Sequence, residues 1–180
     1  MCFLALSALG QIAGHSTFTA GVGGGFPTGG EEVFLTNSEG IHNAPALSGS
    51  YEFRLLKYFA PEVGVVNLMP LVDQSGRTPQ PPIRERVTLL SLGARGILPL
   101  KQRRIELFAG AAAVHVSSSD FELTQGFHLP RWLGQINAGG RCAVDKGRHF
   151  WIGPTVRFSR DGGRPVEEWV SLTGEFGFRF

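Results

Sequence analysis

The chain has 180 residues and a formal net charge of +2, with 25 glycines, 14 phenylalanines and only 18% charged residues. That length fits one domain with a substantial core, and so small a charge, with no basic helix or aromatic-basic patch, excludes a nucleic-acid-binding face. No run of about twenty apolar residues occurs, which excludes a transmembrane helix but not a transmembrane barrel, whose strands need only about ten alternating residues each.

Residues 1–10 (MCFLALSALG) read as the apolar part of an export signal, with Ala8-Leu9-Gly10 as the small-x-small pattern before a cleavage point, although the usual positively charged start is missing. Cleavage there removes Cys2 and leaves Cys142 as the sole cysteine, so no disulfide is expected. Residues 11–180 are read as one barrel domain.

From there on, apolar residues recur with period two, and no window shows a helical period. Eight strands are expected. Ser16–Phe26 sets Phe18, Ala20, Val22 and Phe26 against Thr17, Thr19, Gly21 and Gly23. Gly49–Leu56 sets Tyr51, Phe53 and Leu55 against Glu52 and Arg54. Glu62–Met69 is apolar on both sides, so its facing is ambiguous. Val87–Leu98 sets Leu90, Leu92 and Ala94 against Ser91, Gly93 and Arg95. In Arg104–Val116 the small and aliphatic residues Ile105 to Ala113 face one way and Phe108, Val114 and Val116 the other, which predicts a bulge or an aromatic filler inside. Leu133–Val144 sets Ile136, Ala138 and Val144 against Gln135, Asn137 and Arg141. His149–Arg160 sets Phe150, Ile152, Val156 and Phe158 against Thr155, Arg157 and Ser159, with Pro154 unable to donate to a ladder. Glu167–Phe180 is the most regular, with Val170, Leu172, Gly174, Phe176, Phe178 and Phe180 on one face and Glu175 and Arg179 on the other.

Connections alternate in length. Those at 57–60, 99–103 and 145–148 are short, and those at 27–48, 70–86, 117–131 and 161–166 are longer or rich in Gly, Pro and Ser. Short turns at one end and long loops at the other predict an all-β, eight-stranded antiparallel up-and-down transmembrane β-barrel. A soluble calyx would reverse the facing. The polar faces, however, carry Glu52, Arg54, Arg95, Arg141, Arg157, Glu175 and Arg179, mixed in sign and interleaved with small residues, and lysine is almost absent from the strands. That suits a narrow lumen where opposite charges pair, and these seven residues are the expected lumen ion network.

The eight strands, the FTAGVGGGFP opening, the EFRLLKYFAPEVGVV hairpin and the GEFGFRF ending resemble the small outer-membrane β-barrel superfamily of OmpA and OmpX type, over about residues 16–180. The resemblance implies a bacterial outer-membrane location, insertion by the barrel-assembly machinery through the aromatic ending, and contact with outer-membrane lipid and lipopolysaccharide. Its members are tethers, adhesins, serum-resistance factors or enzymes, so it does not choose a function.

His115-Val116-Ser117, followed by Asp120 and Glu122, is similar to the His-x-Ser motif of PagL-like lipid A deacylases, in which a His deprotonates a Ser on the same strand face. Ser118 stands where that family has Asn, and the motif falls in an earlier strand, so the plainer reading is a His at the rim. The glycine run 21–25 precedes no helix, which sets nucleotide binding aside, and the five histidines have no metal-ligand spacing. Arg77, Arg84, Arg86, Arg131, Arg160 and Arg164 fall in or beside the long loops, where guanidinium forks suit the phosphates of lipopolysaccharide. Trp132, Trp151, Trp169 and Phe59 are candidates for the interfacial aromatic belts, although strict alternation turns Trp151 and Trp169 inward, a conflict that a one-residue slip would explain. The expectation is a non-enzymatic barrel with a filled polar lumen, no cofactor, no metal and an envelope-structural or surface-interaction role. A PagL-like hydrolase and a lipocalin-like calyx are the alternatives.

Overall fold

The computed structural model describes residues 14–27, 44–69, 71–72, 83–84, 86–100, 104–119, 132–160 and 168–180. The segment expected to be an export signal lies outside them. The strands are β1 (His15–Pro27), β2 (Ala44–Arg54), β3 (Phe59–Leu68), β4 (Leu71–Val72), β5 (Ile83–Arg84), β6 (Val87–Leu100), β7 (Ile105–Ser119), β8 (Trp132–Ala143), β9 (Phe150–Arg160) and β10 (Glu168–Arg179). Eight of them close into an antiparallel barrel in the order β1-β10-β9-β8-β7-β6-β3-β2, and β4 and β5 form a separate two-stranded ribbon. All eight expected strands are present. The second begins five residues early because Ala44 and Ala46 face inward and are too small to announce an alternation.

Closure pairs the first strand with the last. In the β1/β10 ladder Thr17 pairs with Arg179 and Phe26 with Val170, which puts the start of β1 and the end of β10 beside the short turns. Every barrel strand alternates. Phe18, Val22, Leu92, Ile136, Ile152, Leu172, Phe176 and Phe178 are exposed on the outside, and Thr19, Glu52, Arg95, Asn137, Arg157, Thr173 and Glu175 are buried on the inside. The facing that a soluble calyx requires is the reverse.

Among the described residues, one ladder shifts register. In the β6/β7 ladder Leu89 pairs with Val116 and Thr88 with Ser118, leaving Ser117 as the extra residue of a β-bulge at the long-loop end. Phe108 is the aromatic filler. It is buried inside the barrel, with the Arg95 guanidinium 4.4 Å from its ring centre. Pro154 leaves its mark as well: the β8/β9 ladder lacks pairs between Gly139↔Thr155 and Cys142↔Ile152, yet resumes in the same register.

The inside is stratified. At the long-loop end Ala44, Ala46, Val66, Leu68, Val87, Leu89, Val114, Leu133 and Trp169 form an apolar cluster, whereas the charged residues lie toward the short turns. Glycine makes room for the long side chains: a Cβ on Gly139 would run into Phe108, and one on Gly153 would lie 2.7 Å from the Arg141 Cα and collide with the Gly140 carbonyl. On the outside, a Cβ on Gly174 meets nothing nearer than the Val22 carbonyl at 4.0 Å. Gly153→Ala is therefore expected to cost about 1–3 kcal/mol through overpacking. Gly174→Ala should be neutral or slightly stabilising, by up to about 1 kcal/mol, through the unfolded chain. Urea midpoints of the two variants refolded into lipid vesicles check the contrast.

Candidate functional site

The barrel interior gathers nearly all the buried charge among the described residues. Strand pleating aims Glu52 and Arg54 (β2), Glu62 (β3), Arg95 (β6), Glu106 (β7), Arg141 (β8), Arg157 (β9), and Glu175 and Arg179 (β10) at one another, and only Arg179 is less than fully buried. Glu106 is the hub. It accepts from Arg54 Nη1 at 2.9 Å, Arg141 Nε at 2.8 Å and Arg179 Nη2 at 2.7 Å, and its side chain is 0% exposed. Arg141 also forks onto Glu52, at 2.7 and 3.3 Å. Because β2 and β8 stand on opposite sides of the ring, this pair crosses the full width of the lumen.

Nearer the middle, Arg95 Nε lies 2.6 Å from Glu62 and 3.2 Å from the Asn137 carbonyl oxygen. Arg157 pairs with Glu175 and donates to Thr173 Oγ1 at 2.9 Å. Hydroxyl and amide pairs fill the remaining layer, Thr19 with Ser50 at 2.7 Å and Gln135 with Ser159 at 3.0 Å. A void of about 10 Å³ beside Phe108, Arg141 and Glu175 is at the lower limit for one water molecule.

The short-turn end is capped by arginine on indole. Trp151 is 1% exposed, Arg179 stacks 4.2 Å from its ring centre, and its Nε1 donates to the Arg148 carbonyl at 2.8 Å. The turn 145–149 is held by the Phe150 N–H, which donates to Asp145 Oδ1 at 2.8 Å. That bond is the chief cause holding the Asp145 carboxyl below its usual range. Arg148 adopts φ 61°, the left-handed conformation that side chains rarely take.

The structure thus places the seven expected interior residues inside the barrel and adds two that were not foreseen, Glu62 and Glu106. Glu106 shares the parity of Phe108, Val114 and Val116, so the signal was there. Trp151 and Trp169 are corrected: both are buried inside, one under Arg179 and the other in the apolar cluster, and the strand register carries no slip. Trp132 and Phe59 are exposed on the outside.

His115 faces outward and packs edge-on against Trp132, ring centres 4.9 Å apart. Asp120 and Glu122, the carboxylates of the hydrolase alternative, lie outside the described residues. Of the loop arginines, Arg77, Arg131 and Arg164 also lie outside them, Arg84 is in β5, Arg86 is exposed, and Arg160 is exposed 3.2 Å from Glu168.

No family model and no curated protein matches the chain. Among solved structures it is similar to the outer membrane protein OprG of Pseudomonas aeruginosa, with 14% identity, a TM-score of 0.63, and coverage of 93% of this chain and 96% of that one. It is also similar to Ail, the attachment invasion locus protein of Yersinia pestis, with 13% identity, a TM-score of 0.56, and coverage of 94% and 100%. A second Ail structure, in complex with the heparin analogue sucrose octasulfate, gives 15% identity and a TM-score of 0.54 over 94% and 100%. At such identities the likeness shows the fold: a closed eight-stranded antiparallel barrel resembling small outer-membrane barrel proteins.

Proposed function

We propose that the chain is a non-enzymatic barrel of the bacterial outer membrane, with its short turns on the periplasmic side, that stabilises the envelope or presents its long loops to a surface partner. The observation that carries this reading is the facing. Large apolar side chains such as Phe18, Leu92, Ile136 and Phe176 are exposed around the outside, while ion pairs fill the inside. In water such a belt is an aggregation hazard, whereas in lipid it is the required surface. The 12 residues of β10 suit the span: about 40 Å of strand tilted near 45° rises roughly 28 Å, close to the hydrocarbon thickness.

A filled lumen makes the barrel a plug. The arginine-carboxylate pairs from seven of the eight barrel strands act as cross-braces, and the apolar cluster closes the long-loop end. The exposed Arg86 and Arg160 sit where the outer leaflet presents phosphorylated glycolipid, and we assign them, with Arg77, Arg84, Arg131 and Arg164, to lipopolysaccharide contact. Insertion through the aromatic ending by the barrel-assembly machinery belongs to the same reading.

Refolded in detergent, the protein is expected to migrate differently on a gel before and after boiling, and in planar bilayers to give no stable large conductance; a stable open pore sinks the filled-lumen reading. Glu106→Gln leaves three guanidinium groups without their shared carboxylate, so it should cost about 3–5 kcal/mol in urea unfolding from vesicles. Arg160→Ala, which breaks an exposed pair, should cost under about 1 kcal/mol in the same assay. A combined Arg86→Ala and Arg160→Ala variant should hold phosphorylated lipid A more weakly than wild type by a few-fold and bind its dephosphorylated form equally.

A further inference from the structure

The short-turn end carries cations that take no part in the lumen network. Each of the three short connections supplies one: Lys57 between β2 and β3, Arg104 at the entry to β7, and Lys146 between β8 and β9. Arg104 and Lys146 are exposed, and Lys57 is half-buried with its ammonium 4.8 Å from the centre of the Tyr58 ring. Among the described residues no carboxylate forms an ion pair with any of the three. The carboxylates at this end have other partners. Glu106 is buried under its arginines, and the Phe180 carboxylate shares the mouth wall with Arg148 and Arg179. Asp145, although next to Lys146 in sequence, accepts from the Phe150 N–H at 2.8 Å and faces His149 Nδ1 at 3.5 Å.

The second observation is where these cations stand relative to the apolar outer wall. In sequence Lys57 lies between Leu56 and Phe59, Arg104 between Leu100 and Leu107, and Lys146 between Val144 and Phe150, and all of these apolar neighbours are exposed. The nearer neighbour is never more than about three residues away, so at about 3.3 Å per residue each cation's backbone stands within roughly 10 Å of the edge of the wall. The headgroup zone on one side of a bilayer is about 5–8 Å deep, a depth that the long stems of Lys and Arg cover while their charged ends stay in water. A cation at that level meets phosphate. A zwitterionic headgroup offsets its phosphate with its own ammonium, whereas an acidic headgroup keeps a net negative charge that each nearby Lys or Arg gains from. A soluble partner would meet the same charges in water and leave the flanking Leu, Val and Phe side chains nothing to face.

We propose that the short-turn rim is a docking surface for acidic phospholipids, with Lys57, Arg104 and Lys146 each holding a headgroup of the leaflet that surrounds it. This role presupposes that the barrel spans the outer membrane with its short turns on the periplasmic side. The test uses the full chain in phosphatidylcholine nanodiscs, with insertion checked by heat-modifiable migration on a gel. A small, equal mole fraction of either phosphatidylglycerol or phosphatidylcholine carries a nitroxide near its glycerol. The paramagnetic broadening of the Lys57, Arg104 and Lys146 backbone amide signals is then compared between the two labelled lipids.

At about 0.01 M salt, where charges are felt over about 30 Å, labelled phosphatidylglycerol should broaden the three amides at least about threefold more than labelled phosphatidylcholine. Raising the salt to about 1 M, where that range falls to about 3 Å, should bring the ratio to about one. The combined variant Lys57→Gln, Arg104→Gln and Lys146→Gln should do the same at low salt. A ratio of about one in the wild-type protein, a ratio that survives high salt, or one that the triple variant leaves unchanged overturns the lipid surface while the inserted barrel stands. Equal broadening by the two lipids, together with shifts of the same amides on adding soluble peptidoglycan fragments, overturns it in favour of the cell wall. Failure to enter the discs in folded form overturns the membrane reading itself, and the lipid surface with it.

Discussion

An eight-stranded barrel leaves an interior only as wide as the side chains that fill it, and this volume constraint governs the rest of the molecule. Half of every strand must point inward, so each long inward residue needs a short one beside it. The chain meets that need with glycine: Gly139 lies against Phe108, and Gly110 leaves space for the Arg95 stem. Inward glycines such as these are the counter-volume of the long side chains beside them.

Charge follows from the same constraint. Five inward arginines face four inward glutamates among the described residues, and an uncompensated ion in so narrow a space costs several kcal/mol. Pairing only between neighbouring strands would brace the wall locally, as Arg157 and Glu175 do. The Arg141–Glu52 and Arg179–Glu106 pairs reach instead across strands that share no ladder. They therefore resist flattening of the barrel, which backbone hydrogen bonds between adjacent strands do not.

Strand number, the short-turn and long-loop ends and the facing of Phe18, Glu52, Arg95 and Phe176 were legible in the sequence, because each is a period-two signal repeated over many residues. Glu106 was legible in principle, sharing the parity of Phe108. Glu62 was harder: it lies in a strand whose Val63, Val65, Val66 and Leu68 are apolar on both faces, so hydropathy could not say which side was inside. Trp151 and Trp169 show the opposite failure. Parity turned them inward correctly, and the general preference of tryptophan for membrane interfaces argued against it. Here the indole sides of a narrow lumen offered what the interface also offers, an apolar body beside a polar partner: the Arg148 carbonyl and the Arg179 guanidinium meet Trp151. The pairing partners across the barrel were out of reach, since they depend on shear between strands and not on any local pattern.

The two ends of the interior solve the closure problem differently. Toward the long loops, Leu68, Leu89, Val114 and Trp169 meet in an apolar cluster. Toward the short turns, Arg54, Arg141 and Arg179 converge on Glu106 beneath a roomy mouth. A uniform ionic core would leave its excess cation somewhere in the middle, at full desolvation cost. Placing Arg179 at the open end keeps 13% of its side chain within reach of water, and the apolar cluster fills the other end without needing a charged partner. The asymmetry of the filling is thus an electrostatic requirement of the count of charges.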